Sequence, residues 1–333
     1  MCTMGKKFSA VNGLLLLFVL FFVVSCSDMM DSYDPPGQGE EVVRTTADEW
    51  IQATTPSFGG DDIYDLTYGD GLFVASGPSG KIAYSSDGDT WTQATTPSFG
   101  SDTIDDVAYG DGLYIAVGSS GKIAYSIDGD TWTQATTPSF GSEYLRGVTY
   151  GDGLYVVVGA SGSIAYSIDG DTWTQATTPS FEGKTIYDVT YGDGLFLAVG
   201  RDGMISYSSD ADEWIQASAT SFESYNVLGV GYGNGLYVAV GENGVIAYSS
   251  DGDTWTRAKT PNYGSDVVIS VNYGNGVFVA GGENGKVVYS YDADIWAQVD
   301  DTGFGSDYIR GVAYGNGLFV IAGHGGKIAY SAE

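Results

Sequence analysis

The chain has 333 residues, of which 50 are Gly, 25 Tyr and only 8 Pro, and its 42 acidic against 13 basic residues give a formal net charge of −29. So few bases argue against nucleic acid, whose phosphate counterions must be replaced by Lys and Arg, and against adhesion to an anionic membrane by charge alone. Two Cys and one His leave little for thiol chemistry, histidine catalysis or a zinc site, so neither a metal nor a cofactor is expected.

Lys6 and Lys7 open the chain, and an apolar run follows from Leu14 to Val24. The run is too short to cross a bilayer, which takes about 20 residues, but it suits the apolar core of a signal peptide. It ends in Val23-Val24-Ser25-Cys26, which resembles a bacterial lipobox: apolar residues, a small residue, then Cys. The resemblance implies a signal peptide over residues 1–25, cleavage before Cys26 and a diacylglycerol on the Cys26 thiol. An ordinary signal peptide, or an uncleaved anchor with an incidental Cys, is the alternative. Ser27 after the Cys, where Asp would mark retention, implies sorting to the outer membrane in a host that has one. Residues 26–46 therefore read as a lipidated Cys and a flexible acidic linker containing Pro35-Pro36-Gly37. Twenty such residues reach about 25 Å, enough to stand a domain off a membrane.

Residues 47–333 are one 41-residue unit written seven times. Trp50, Trp91, Trp132, Trp173, Trp214, Trp255 and Trp296 are spaced by 41, and so are the seven Tyr-Gly pairs beginning at Tyr68. Each unit carries four strand-like runs, A to D. In the second they are Ile104–Tyr109, Leu113–Gly118, Lys122–Ser126 and Thr131–Ala135. The A–B turn is Gly-Asp-Gly or Gly-Asn-Gly, and the C–D turn again contains Asp-Gly, both being preferred centres of tight hairpins. Four antiparallel strands in about 40 residues make one propeller blade.

The phase of the repeat predicts closure. The last unit stops at Tyr330-Ser331-Ala332-Glu333, inside the C–D turn, and the first begins at Ala47-Asp48-Glu49-Trp50, the other half of that turn. The strand around Trp50 is therefore expected as strand D of the C-terminal blade, pairing a sheet edge otherwise open to aggregation. The expected fold is an all-β, seven-bladed propeller and a monomer.

The run Ser85-Ser86-Asp87-Gly88-Asp89-Thr90-Trp91 resembles the Asp-box (BNR) repeat of sialidase-like propellers and of photosystem II stability/assembly-factor-like propellers, one residue shorter than the usual pattern. Its copies pair Asp128 with Trp132, Asp169 with Trp173, Asp210 with Trp214, Asp251 with Trp255 and Asp292 with Trp296. The first Asp of each box is expected to bond backbone amides of its own turn, rather than calcium, which wants six to eight oxygens. The Trp is expected to pack between strands C and D and the next blade. Two boxes carry Ala211 and Ala293 in place of Gly. Because Ala at positive φ costs about 1 kcal/mol, those two turns are expected to change type. Phe58, Phe99, Phe140, Phe181, Phe222, Tyr263 and Phe304 recur in the D–A connection, read as buried plugs rather than platforms for sugar rings.

Where the units differ, they differ on the face shared by the D–A and B–C connections. The head of strand A holds Tyr64, Asp105, Arg146, Tyr187, Leu228, Ile269 and Arg310 in successive units. The B–C turns vary too, with Arg201-Asp202 in the fourth and His324-Gly325 in the seventh. Glu143-Tyr144-Leu145-Arg146-Gly147 is echoed by Asp307-Tyr308-Ile309-Arg310-Gly311, so two Tyr-flanked Arg face each other roughly across the ring. Candidate ligand-binding residues at the channel mouth are Tyr64, Asp105, Tyr144, Arg146, Tyr187, Arg201, Tyr308 and Arg310. Each Arg could clamp an anionic or sugar ligand or pair with an acidic neighbour.

No catalytic residue is marked. A sialidase-like site would need an Arg triad, a Tyr nucleophile with a Glu partner and an Asp acid. Arg146, Arg201 and Arg310 would have to serve, and the family's Arg-Ile-Pro signature is missing. The expectation is a lipid-anchored, non-catalytic binding or scaffold module of a bacterial cell envelope, recognising a protein or glycan. The alternatives are a sialidase-like glycan hydrolase and an assembly factor docking on a membrane complex.

Overall fold

In the computed structural model the alternating apolar residues of each unit form four antiparallel strands, and the described chain contains seven such sheets. Blades are numbered 1 to 7 from Asp65. In blade 2, strand A is Ile104–Gly110, B Leu113–Gly118, C Ile123–Ser126 and D only Thr133–Gln134. The C and D strands are thus shorter than their sequence pattern, because Lys122 belongs to the B–C turn and Thr131 to the C–D turn. The structure describes residues 49–331 apart from 55–56, 96–98, 137–139, 178–180, 219 and 260–261. The expected signal peptide, Cys26 and the expected linker lie outside the described residues.

The ring closes as the repeat phase requires. Trp50–Gln52 pairs antiparallel with Ile328–Ser331, Trp50 opposite Ser331, Ile51 opposite Tyr330 and Gln52 opposite Ala329. Blade 7 therefore takes strands A, B and C from the C-terminal end and D from the N-terminal strand. Each A strand packs against the A strands of both neighbours, blade 7 against blade 1 included, so the seven A strands surround a central channel.

The repeated Tyr-Gly pair explains itself at these seams. A Cβ on Gly69 would lie 2.0 Å from Cγ of Tyr109, and the same holds round the ring until Gly315 meets Tyr68. Each Gly is the floor on which the next blade's Tyr ring lies flat, an approach no side chain permits. The same Tyr packs on an aromatic of its own strand B, as Tyr109 does on Tyr114 with ring centroids 4.7 Å apart.

Between blades lie seven apolar clusters, each joining strands B and C of one blade to A, B and C of the next. The plug aromatics Phe58, Phe99, Phe140, Phe181, Phe222, Tyr263 and Phe304 are all buried, as the plug reading requires. The box Trp packs toward the preceding blade, not the next: Trp132 clusters with Val74 and Ile82, and Trp255 with Leu197 and Ile205. Its Nε1 donates to the carbonyl of its own turn, Trp91 to Gly88 at 2.9 Å.

Within each box the first Asp folds the turn and the second fastens it to a neighbour. Asp87 Oδ1 accepts from the amides of Asp89 and Thr90 at 3.0 and 2.8 Å and from Ser85 Oγ at 2.9 Å. Asp130, second in its box, accepts from the amide of Thr95 at 2.8 Å, just past strand D of the preceding blade. Ala211 and Ala293 keep the same turn, with φ of 65° and 64°. The amide bonds of Asp210 and the Trp214 indole bond are all retained there. Six hydrogen bonds over-determine the loop and hold Ala in a conformation that costs it about 1 kcal/mol.

Candidate ligand-binding funnel

Strand A carries a register shift at its head in blades 2 to 7, between Ile104 and Asp106, Leu145 and Gly147, and at the matching places beyond. Such a bulge inserts one unpaired residue and redirects its side chain. The inserted residues are Asp105, Arg146, Tyr187, Leu228, Ile269 and Arg310, at a position that varies from unit to unit. Because of the bulge, two successive side chains of strand A face the channel instead of one.

These side chains line a funnel of about 440 Å³. Of the eight predicted binding residues, Tyr64, Asp105, Tyr144, Arg146, Tyr187, Tyr308 and Arg310 lie in its wall. Arg201 does not: it stands in the B–C turn of blade 4, with Nε 3.8 Å from Asp202. Its position on a turn outside the strand-A bulge keeps it out of the channel. The box Asp and Trp residues are likewise absent from the lining.

Both Arg are stacked on tyrosines. The Arg146 guanidinium carbon is 4.5 Å from the Tyr144 ring centroid and 5.9 Å from that of Tyr187. Arg310 is 5.2 Å from Tyr64 and 5.9 Å from Tyr308. In each case one ring comes from the same blade and one from the next, so the echoed motifs build two similar half-sites. Their partners differ. Arg146 Nη1 donates to Asp105 Oδ2 at 3.2 Å, and the Tyr144 hydroxyl donates to Asp105 Oδ1 at 3.1 Å. Arg310 makes no hydrogen bond among the described residues, and Asp62, its nearest carboxylate, is 4.0 Å away. Asp62 is itself engaged, accepting from the Gly325 amide at 3.0 Å. Arg146 is thus hydrogen-bonded to its carboxylate, Arg310 is only ion-paired, and the Nε of each is buried without a hydrogen-bond partner.

One residue deeper along strand A lie three carboxyl groups that the sequence reading overlooked: Asp65, Asp106 and Asp188. Each reaches across a blade seam. Val107, Val148 and Val230 donate their amides to them at 3.3, 2.6 and 2.8 Å respectively. Burial pushes the Asp188 carboxyl up to about 7. Burial, reinforced by the charge of Asp65, holds Asp106 well above the usual carboxylate range, and burial raises Asp65. Burial also outweighs the Arg146 charge and raises Asp105, while burial and Asp105 push the Tyr144 hydroxyl up to about 12. The sequence signal was present. The position after the variable one is Asp in blades 1, 2 and 4, but Gly147, Gly229, Ser270 and Gly311 elsewhere.

Leu228, Val267, Ile269 and Glu283 complete the wall. Glu283 spends both oxygens, accepting from the Val267 amide at 2.9 Å and the Tyr308 hydroxyl at 3.1 Å. No group of three metal-ligating side chains occurs among the described residues.

Known structures share this architecture. A structure of YCF48 bound to D1 peptide superposes with a TM-score of 0.69 at 16% identity, covering 86% of this chain and 94% of that one. A catalytically inactive virginiamycin B lyase from Staphylococcus aureus with quinupristin gives a TM-score of 0.74 at 14% identity, covering 86% and 99%. The WD40 beta propeller domain of Doa1 gives 0.67 at 16%, covering 85% and 97%. At such identities the likeness is one of fold. No curated protein matches the chain. The family model described as the DUF6242 beta propeller domain matches residues 141–322, more than half of the sequence. The chain belongs to the DUF6242 beta propeller domain family.

Proposed function

We propose that this protein is a non-catalytic binding or scaffold module, anchored through a lipid on Cys26 at a bacterial outer membrane or cell surface, and that it grips a segment of a partner protein in the funnel. The observation that carries the reading is the pair of Tyr-stacked Arg at one cavity, of which Arg310 lacks a hydrogen-bond partner among the described residues. Arg stacked between aromatic rings is pre-organised, so little entropy is lost when it meets a ligand. The same fold holds a peptide in the YCF48 structure. The anchor rests on the lipobox resemblance alone.

Glycan hydrolysis is the second reading, favoured by one observation. A carboxyl group that keeps its proton to about 7, as Asp188 does, suits a general acid. Against it, Asp188 accepts from the amides of Val189 and Val230 at 2.7 and 2.8 Å, which ties both oxygens to backbone.

The two readings separate in one experiment. The full chain and its Arg310→Ala variant are tested on a fluorogenic glycoside panel and for retention of envelope proteins. A discrete partner lost in the variant, without turnover, supports the binding module. Turnover abolished by Asp188→Asn overturns it.

A further inference from the structure

The funnel wall is divided. Going round the ring, the mouth residues of blades 7, 1, 2 and 3 are Arg310, Tyr64, Asp105 and Arg146, and those of blades 4, 5 and 6 are Tyr187, Leu228 and Ile269. All three charged residues fall in the first arc, the two aliphatic ones stand side by side in the second, and each arc holds one tyrosine. A ligand that fits must be divided likewise.

The charge on the polar arc has a definite sign where a ligand would meet it. Arg146 Nη1 is held by the Asp105 carboxyl, although its Nε has no partner. Glu283 is spent on an amide and a phenol. The three deeper carboxyls are tied to backbone amides. What is left is the guanidinium of Arg310, its side chain 38% exposed, ion-paired at 4.0 Å with Asp62 and 5.2 and 5.9 Å from the rings of Tyr64 and Tyr308. A planar cation whose donors make no hydrogen bond among the described residues is the complement of a carboxylate.

The geometry points to a peptide ligand that presents a carboxylate beside a large apolar side chain, the carboxylate on Arg310 and the apolar group against Leu228 and Ile269. This deepens, and rests on, the reading of the funnel as a protein-binding site. The carboxylate can be a chain end or a Glu side chain, since the guanidinium recognises the same group in both. An uncharged glycan segment satisfies neither arc, and a basic peptide meets a cation of its own sign at Arg310.

The test uses the full chain and four fluorescein-labelled hexapeptides read by anisotropy. The first ends in Leu with a free carboxylate. The second is its C-terminal amide, the third the same amide with Glu before the Leu, and the fourth a free acid ending in Ser. The first is expected to bind at least about tenfold tighter than the second and the fourth. Arg310→Gln is expected to bring the free acid down to the amide, leaving the amide unchanged, with Arg310→Lys intermediate. Leu228→Ser is expected to erase the preference for Leu over Ser while sparing that for acid over amide, a separation that general loss of folding would not give. Tight binding of the third peptide assigns the carboxylate to a side chain, and its failure assigns it to the chain end. Equal binding of all four overturns this inference and leaves the protein-binding reading in place. No binding of any peptide, with retained partner protein still lost on Arg310→Ala, overturns the inference alone. No peptide binding and no dependence on Arg310 overturn both.

Discussion

Arg310, in the blade completed by the N-terminal strand, lies 5.2 Å over the ring of Tyr64, which leads into strand A of blade 1. The Arg310 half of the funnel therefore straddles the seam where the two ends of the propeller meet. Closure and ligand site are one structural fact here, since an open array would separate these two residues.

Removing residues 49–53 takes away the strand that pairs Ile328–Ser331. It leaves strand C of blade 7 as an exposed edge, a template for pairing with other chains. The truncated chain is expected to melt at a lower temperature and to elute as concentration-dependent oligomers. Size-exclusion chromatography and a thermal melt check this. A monomer with an unchanged melt would show that the closing strand is dispensable.

The Tyr-Gly ring is a second closed cycle. A methyl group on Gly315 would fall 2.0 Å from Cγ of Tyr68, inside a seam with no spare volume. Gly315→Ala is expected to destabilise by at least about 3 kcal/mol, near the upper end for overpacking, and denaturant titration measures it. Gly317→Ala, two residues on, meets nothing within 4 Å. It pays only for its φ of 83°, about 1–2 kcal/mol.

Stability should peak at mildly acidic pH, because two sets of carboxyls pull in opposite directions. Asp65, Asp105, Asp106 and Asp188 are raised above the ordinary 3.8. The folded chain holds their protons more tightly, so they favour folding at low pH, and that contribution is lost as pH rises from about 4 through the Asp188 value of about 7. The box residues Asp87, Asp128, Asp169, Asp210, Asp251 and Asp292 are lowered, chiefly by backbone amides. Their contribution is whole above 3.8 and is lost as pH falls through their lowered values. Melting temperature is therefore expected to be higher at pH 5 than at pH 8 and to fall steeply below about pH 3. Asp188→Asn is expected to flatten the limb between pH 5 and 8 and leave the acid limb intact.

Much of this was legible in the sequence, and the reasons divide cleanly. The 41-residue period and the Asp-Gly and Asn-Gly turns fix four strands per blade, because period-two apolar runs and positive-φ turns are local properties. The phase of Glu333 against Ala47 fixes closure. The side on which the box Trp packs depends on how blades lean on one another, a tertiary property, and the sequence reading had it facing the wrong blade. The turns at Ala211 and Ala293 were expected to change type, because propensity was weighed without the hydrogen bonds that hold the loop. The mouth residues were legible as differences between copies. The deeper carboxyls also differ between copies, as Asp65, Asp106 and Asp188 against Gly or Ser elsewhere, but the difference was not read as a site, because only the structure shows the bulge that brings a second successive residue such as Asp106 into the channel. Arg201 looked equivalent to Arg146 and Arg310 by charge, but it sits on a turn that points elsewhere.

Net charge gives the interaction an unusual salt response. At −29 the chain repels an acidic peptide at long range, while contact with Arg310 operates at short range. Added salt shortens the Debye length from about 30 Å at 0.01 M to about 8 Å at 0.15 M, so the repulsion is screened first. The association rate of the carboxylate peptide is expected to rise over that range in stopped-flow measurements, where a cationic site in a basic protein would show it falling.

The central claim is that the bulged face of the ring is the working face. It is tested most directly by photo-crosslinking in intact cells, with a photoreactive residue at Leu228 in the funnel wall or at Asp152 in the A–B turn of blade 3, on the opposite face. The account predicts a discrete protein adduct from Leu228 that disappears with Arg310→Gln, and none from Asp152. Adducts from Asp152 alone, or adducts from Leu228 indifferent to Arg310, would contradict it.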